Sequence, residues 1–347
     1  MSKIELYKKY RPRKWKHMIG QEKTVESLIN MVKNNNVPTA LLFSGTHGSG
    51  KTTAALILAK AINCEKTDEN ANPCNKCELC VAVDKNNGSI FGIHTLSMAN
   101  NGSVDEVRKI MNNANLATIA KKPVYILDEC HNISKTAQES MLIPLEKDNA
   151  NALFVLCSTD PDKIISTIHS RVARRNFTPV DKKAIFGRLK EICTKEEIEL
   201  SDDELVAVTN ASRGSVRDSI KYLQEYIETG SIPSAYKIRM LEALINKKYT
   251  DMFKLVAEMA DDGQSFTKIC EQLYGDVRDL IVASAENKNV KENTPAGRII
   301  KEVPLPTLLK ILNVIGTTLE KMATNVIDSR VLFEVCLTTI IAMLRKT

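Results

Sequence analysis

Residues 45–52 read GTHGSGKT, a match to G-x-x-x-x-G-K-[ST]; the apolar run ALLF (40–43) precedes them and the helix-like stretch TAALILAKAI (53–62) follows. A buried strand, a glycine-rich turn and a helix amino terminus in that order are the context a phosphate-binding loop requires. Gly45, Gly48 and Gly50 let successive backbone N–H groups converge on phosphate oxygens, and the helix amino terminus adds favourable potential. Lys51 is placed to neutralise β and γ phosphates, and the Thr52 hydroxyl to ligate Mg²⁺. Gly45, Gly48, Ser49, Gly50, Lys51, Thr52 and Thr53 are therefore the candidate nucleotide-binding residues, with ATP and Mg²⁺ as the expected ligands.

The matching acidic half lies about 75 residues further on, in VYILDE at 124–129, an apolar strand ending in two carboxylates. Asp128 is expected to hold Mg²⁺ and Glu129 to orient and polarise the attacking water, two tasks that one carboxylate does not easily combine. Alone, two acids at a strand end are more often solvated than functional. Behind a phosphate loop they are specific. His131, with no second histidine nearby in sequence, is read as a polar contact and not as a metal ligand.

Working outward, Val25, Leu28, Ile29 and Val32 recur at helical spacing before Pro38, and 153–157 is another short apolar run. This alternation of strands and helices predicts a largely parallel sheet covered on both faces. From Val180 onward the periodic segments are helical: Ile185, Leu189 and Ile192 share a face, Ser201 with Glu204 matches a capping box, and Ser215 opens a helix after Gly214. Gly230 and Pro233 in 228–234 mark a boundary into a second helical region, whose breaks fall near 261–265 and 287–304. The expected organisation is an ATPase domain at 1–179, a small helical lid at 180–229 and an all-helical domain at 230–347.

A length of 347 residues with 43% apolar and 26% charged residues excludes a fibre or a disordered chain. Its 48 Lys and Arg against 42 Asp and Glu leave +6, which permits a polyanionic partner without demanding one. The longest apolar stretch, 331–344, is interrupted by Glu334 and two threonines and falls short of the roughly 20 residues that span a bilayer. It reads as a buried helix. The basic start MSKIELYKKYRPRKWK has no apolar core of a signal peptide, so a cytoplasmic protein with no membrane partner is expected.

Four of the nine cysteines, Cys64, Cys74, Cys77 and Cys80, form a C-x9-C-x2-C-x2-C pattern, with turn-forming Asn72, Pro73 and Asn75 among them. Two C-x2-C steps in succession aim three thiolates at one ion, so a tetrahedral Zn²⁺ site is expected. Cys130, Cys157, Cys193, Cys270 and Cys336 are scattered among apolar neighbours and read as buried free thiols.

With both halves of the nucleotide site and the cysteine cluster in view, the chain resembles the bacterial DNA polymerase III gamma/tau family, the AAA+ ATPase of the sliding-clamp loader. YRP at 10–12, IGQE at 19–22, LLFSGTHGSGKTTAALILAKAINC at 41–64, LDECH at 127–131, STDPDKI at 158–164 and RGSVRD at 213–218 carry the resemblance. It implies an AAA+ P-loop parallel sheet with a small helical lid domain and an all-helical C-terminal collar domain. It also implies that Thr159 is the sensor 1 residue, that Arg171 acts in trans on the neighbouring subunit's ATP, and that Arg217 is the sensor 2 arginine. Arg11 and Pro12 match the segment that lies against the adenine. Val172 departs from the family's pattern without consequence for Arg171, whose charge is retained. Residues 146–149 (EKDN) and Ile143 depart from it in a way that puts clamp and DNA contacts beyond residue-by-residue transfer, and with residues 97–100 (SMAN) they mark a divergent member.

The implied function is an ATP-dependent subunit that opens a sliding clamp and loads it onto primer-template DNA, within a ring-like, pentameric assembly of clamp-loader subunits. Two other readings stand beside it: a non-hydrolysing AAA+ scaffold subunit, which intact Lys51, Thr52 and Glu129 disfavour, and another AAA+ motor such as a branch-migration helicase, which the cysteine insertion disfavours. Glu65, Asp68, Glu69 and Glu78 around the cysteines point to a protein-docking module and not a DNA reader.

Overall fold

A computed structural model describes residues 5–85, 92–98, 103–114, 120–146, 152–229, 240, 243–244, 246–261, 264–285, 302–324 and 327–345. Most of the boundary at 228–234 and of the break at 287–304 lies outside these residues, as do 262–263 and the divergent positions 99–100 and 147–149. The chain divides into two compact units, Met1–Gly230 and Ser231–Thr347.

The first unit is built on five strands: β1 (Ala40–Gly45), β2 (Ile93–Ser97), β3 (Val124–Asp128), β4 (Leu153–Ser158) and β5 (Ala173–Phe177). They pair in parallel in the order β2-β3-β4-β1-β5. Alternate side chains of β1 separate the core into two layers. Leu41 and Phe43 pack with Ile126, Val155 and Phe177 on one face, and Ala40 and Leu42 pack with Tyr125, Phe154 and Leu156 on the other. Because both faces are covered, the central strands are apolar along their length. This is a parallel P-loop sheet, with the glycine loop following β1.

The two edge strands escape the hydrophobic pattern. β5 reads ARRNF, with Arg174 and Arg175 on an edge where only one side of the strand is paired. β2 reads IHTLS, and Ile93 alone is fully buried. Charge on an edge strand discourages pairing with another chain, and it also hides the strand from a search for apolar runs.

Four helices of this unit shape the site: α1 (Leu6–Lys9), α2 (Glu22–Lys33), α3 (Lys51–Asn63) and α4 (Glu78–Lys85). Beyond the sheet come Lys182–Glu196, Asp202–Ala211 and Val216–Thr229. The capping box at Ser201 is complete, since its hydroxyl accepts the Glu204 N–H at 3.3 Å while the Glu204 carboxylate accepts the Ser201 N–H at 2.7 Å.

The second unit is helical and has its own core. In Tyr249–Asp261, buried Met252, Leu255, Val256 and Met259 fall at helical spacing. Phe266, in Phe266–Ala285, meets Phe333 at 5.7 Å between ring centroids. Leu305–Ala323 and Ser329–Arg345 complete the cluster, the latter burying Phe333, Cys336, Leu337, Ile340 and Ile341. No helix among the described residues is long and apolar enough to cross a membrane.

At the end of β1 the chain passes so close to β5 that a Cβ on Gly45, at φ +150°, would stand 2.0 Å from the Phe177 carbonyl oxygen. Gly45→Ala is therefore expected to destabilise the first unit by roughly 2–4 kcal/mol. The lower midpoint would be read in urea unfolding followed through Trp15, the chain's single tryptophan. An unchanged midpoint would mean that β5 yields without cost.

Candidate nucleotide and metal sites

In the sheet, β4 lies between β1 and β3. The carboxyl ends of three neighbouring strands thus bring together the glycine loop, Ser158 with Thr159, and Asp128 with Glu129, at the kind of strand terminus where open α/β sheets bind ligands. A cavity of about 660 Å³ opens there, lined among others by Gly48, Ser49, Gly50, Lys51, Thr52, Thr53, Asp128 and Glu129. Arg11, Pro12 and Arg217 also line it. Its lining holds eight Lys and Arg against three Asp and Glu, a surplus that suits a polyanion.

Lys51 is only 6% exposed and donates to the carbonyls of Gly45 at 2.7 Å and Thr46 at 2.9 Å. Burial pushes its ammonium below its ordinary value. Those partners are neutral, so its charge is met only by the more distant carboxylates of Glu129 and Asp128.

Asp128 uses both oxygens: one accepts the Thr52 hydroxyl at 3.0 Å, the other the Glu129 N–H at 3.1 Å. The second bond helps to hold Glu129 at φ +53°, a left-handed conformation that costs a non-glycine residue about 1–2 kcal/mol. Glu129 accepts the Thr159 hydroxyl at 3.1 Å and lies 3.4 Å from His131 Nδ1 and 3.8 Å from His47 Nδ1. His131 also approaches Ser158 Oγ at 3.4 Å, which makes it a polar contact.

Arg217 places one guanidinium nitrogen 3.4 Å from His47 Nε2 and its centre 5.2 Å from the Tyr7 ring. Arg11 donates to Thr53 Oγ1 at 3.3 Å; burial pushes its guanidinium below its ordinary value, against the opposing charge of Asp128. Gly45, Thr159 and Arg171 are not among the lining residues, although Thr159 reaches the site through Glu129. Arg171 stands apart, with its Nε donating to Glu146 at 2.6 Å and an Nη to the Thr167 carbonyl at 2.6 Å.

Three contributors escaped the sequence reading. His47 occupies a variable position of the loop motif, and only its place between Arg217 and Glu129 marks it. Tyr7 lies upstream of any motif. Ser215 is so close to the loop that a Cβ on Gly48 would meet its hydroxyl at 2.0 Å. The donor set fits the expected ligands: cations and N–H groups for a polyphosphate, and a hydroxyl beside a carboxylate for a hard divalent cation.

The sulfurs of Cys64, Cys74, Cys77 and Cys80 lie within 4.8 Å of one another, with those of Cys64 and Cys80 at 3.8 Å. Ligands about 2.3 Å from a tetrahedral zinc would stand about 3.8 Å apart, so the cage fits the ion. Backbone N–H groups point at the sulfurs, from Cys74 to Cys64 at 3.2 Å and from Cys77 to Cys74 at 3.2 Å. Burial pushes the Cys64 and Cys80 thiols up, whereas at Cys74 burial is outweighed by the N–H donors of Cys77 and Lys76, which bring it down to about 6. A cation shared by the cage favours the thiolate at each ligand. The other five cysteines are buried free thiols.

Comparison with known proteins bears on the whole arrangement. A family model described as "DNA polymerase III, delta subunit" matches residues 20–181. The Bacillus subtilis DNA polymerase III subunit tau is 30% identical over 98% of this chain and 63% of its own length. The Mycoplasma genitalium DNA polymerase III subunit gamma/tau is 30% identical over 83% of this chain and 51% of its own. The chain belongs to the DNA polymerase III gamma/tau family.

It spans between half and two thirds of the length of those two gamma/tau relatives. A solved structure, the Thermotoga maritima RuvB Holliday junction branch migration motor, superposes with a TM-score of 0.47 at 18% identity over 74% of this chain and 86% of that one. That superposition is too loose to carry an argument.

This gamma/tau-family chain should be isolated with about one zinc per chain, as a four-thiolate site requires. Metal analysis of fresh protein checks this, and Cys77→Ser should lower the content well below one. Zinc-free wild-type protein would refute the assignment.

Proposed function

We propose that the chain is an ATP-hydrolysing subunit of a clamp loader, which uses ATP to open a sliding clamp on primer-template DNA and hydrolysis to release it. The observation that carries this reading is the completeness of the acidic half: Asp128 bonded to Thr52, and Glu129 held beside it by Thr159. A subunit that only positioned its neighbours would have no need of the second carboxylate.

Binding begins with an exchange of partners. Lys51 gives up the carbonyls of Gly45 and Thr46 and turns to the β and γ phosphates, which supply the negative charge those carbonyls lack. Thr52 and Asp128 would hold Mg²⁺, which when bound supplies neutralising charge between the phosphates. Arg11 and Pro12 lie against the base, and Arg217 reaches the phosphates from the lid helix Val216–Thr229.

Glu129 orients the attacking water and draws on its proton, while Thr159 sets the direction of that carboxylate. Arg171 stabilises the transferring phosphoryl group on a neighbouring subunit. In this division residues 1–179 form the ATPase domain, 180–229 the lid and 230–347 the collar through which subunits assemble into a ring.

Lys51→Ala is expected to abolish ATP binding, because it removes charge that meets the ground state; Glu129→Gln should keep binding and lose turnover. Calorimetric titration and steady-state hydrolysis separate the two, and equal loss of binding in both would sink the assignment. In an assembled complex, Arg171→Ala should leave its own subunit's affinity for ATP nearly intact and slow hydrolysis at the adjacent site by about 10³–10⁵-fold. Mixing Arg171→Ala with Lys51→Ala subunits tests this, since activity should return only where an intact loop faces an intact Arg171. A silent Arg171→Ala would overturn the trans role.

A further inference from the structure

Lys60, on α3 nine residues beyond Lys51, is 1% exposed. A buried ammonium is tolerated only when it is paired and hydrogen-bonded. Lys60 donates to Asp84 on α4 at 2.7 Å and to the side-chain oxygen of Asn75, between Cys74 and Cys77, at 2.9 Å. Lys60 and Asp84 both line the nucleotide cavity.

The same cysteine loop holds the strap that carries Arg11 and Pro12. The Asn75 amide donates to the Arg13 carbonyl at 3.1 Å. Asn72 accepts the Trp15 N–H at 2.7 Å, and the Ala71 carbonyl accepts the Trp15 indole N–H at 3.0 Å. Trp15 is 2% exposed, so its two bonds lie in the core, while the Asn75–Arg13 bond is exposed.

The loop needs holding in turn. Ala71 and Asn75 are left-handed, at φ +53° and +57°, a conformation that costs non-glycine residues about 1–2 kcal/mol each where nothing fixes it. Asp68 clasps Asn72 through the backbone N–H at 2.9 Å and through its amide at 3.1 Å. Backbone bonds from the Asp68 N–H to the Asn72 carbonyl at 3.2 Å and from the Ala71 N–H to the Asp68 carbonyl at 2.9 Å close the turn, and the thiols of Cys64 and Cys74 flank it.

We infer that the four-cysteine site acts on the nucleotide pocket without lining it: metal in the thiol cage sets nucleotide affinity by fixing the loop that positions Lys60 and the strap at 11–15. This rests on the nucleotide reading proposed above, and it departs from the expectation that the cysteine module serves docking alone. Asn75 is the positioning residue, since its side chain joins Lys60 to the strap without touching nucleotide. The link has a direction that can be tested. Zinc should strengthen ATP binding, and by reciprocity ATP should slow the loss of zinc.

The experiment is a calorimetric titration of the full chain with ATP, first zinc-loaded, then after stripping with a mercurial and chelator, then after zinc is restored. Stripped protein should bind ATP at least about tenfold more weakly, the equivalent of one charge-assisted hydrogen bond, with affinity returning on reloading. Stripping can unfold more than the loop, so Asn75→Gly supplies a second arm. Glycine keeps the left-handed backbone and the neighbouring thiols and removes only the links to Lys60 and Arg13. That variant should retain one zinc, as measured by metal analysis, and still lose about tenfold in ATP affinity. Unchanged affinity in zinc-replete Asn75→Gly, or in stripped wild type, overturns the inference while leaving the nucleotide reading intact. No ATP binding by zinc-loaded wild type overturns both.

Discussion

Two ammonium groups buried on one helix organise this molecule. Lys51 and Lys60 both belong to α3, and both are nearly excluded from water. Burying such a charge costs several kcal/mol unless partners compensate it, and the two lysines meet that demand in opposite ways. Lys60 has a carboxylate, Asp84, and the pairing is permanent structure. Lys51 has as hydrogen-bond partners only the carbonyls of its own loop, which accept its hydrogen bonds without neutralising its charge. One end of α3 is electrostatically finished. The other is complete only when an anion arrives.

The acidic residues follow from the same geometry. No Asp or Glu among the described residues forms a direct ion pair with Lys51: Asp128 instead meets Thr52, one residue along the helix, and acts on Lys51 only as a more distant charge. The Asp128–Thr52 bond leaves Lys51 free of a carboxylate partner. An Asp or Glu bonded directly to Lys51 would satisfy the buried charge and abolish the demand for phosphate. The surplus of cations in the cavity, with Arg11 and Arg217 beside Lys51, therefore measures what the site lacks.

Local chemistry was legible in the sequence and tertiary juxtaposition was not. The glycine loop, Asp128 with Glu129, and the cysteine spacing are readable because each site is compressed into a few residues whose order mirrors their geometry. The central strands at 40–43, 124–127 and 153–157 are readable because burial on both faces demands continuous apolar side chains. β2 and β5 fail that test for the complementary reason: an edge strand such as ARRNF must carry charge. Lys60 looks like any helix-surface lysine until α4 and the cysteine loop fold over it. Asn72 and Asn75 were legible as turn formers, but their side chains face residues some 57 to 62 positions away, which no local pattern encodes.

Arg171 is the remaining charge, and its present pairing bears on the proposed trans role. It is bonded to Glu146, whose side chain is 50% exposed, at the edge of a segment that departs from the family pattern. An ion pair with one half-exposed partner is worth about 0–1 kcal/mol, because water competes for both charges. An arginine set against a transferring phosphoryl group lowers the barrier by roughly 4–7 kcal/mol. The second quantity exceeds the first several-fold, so the Glu146 pair can hold Arg171 in a defined rotamer in the free chain without obstructing its transfer to a neighbour. Within one chain, the cavity holds Lys51, Arg11 and Arg217 but not Arg171. On this reading the charge that acts on the transition state comes from outside, so hydrolysis is tied to assembly while binding is not.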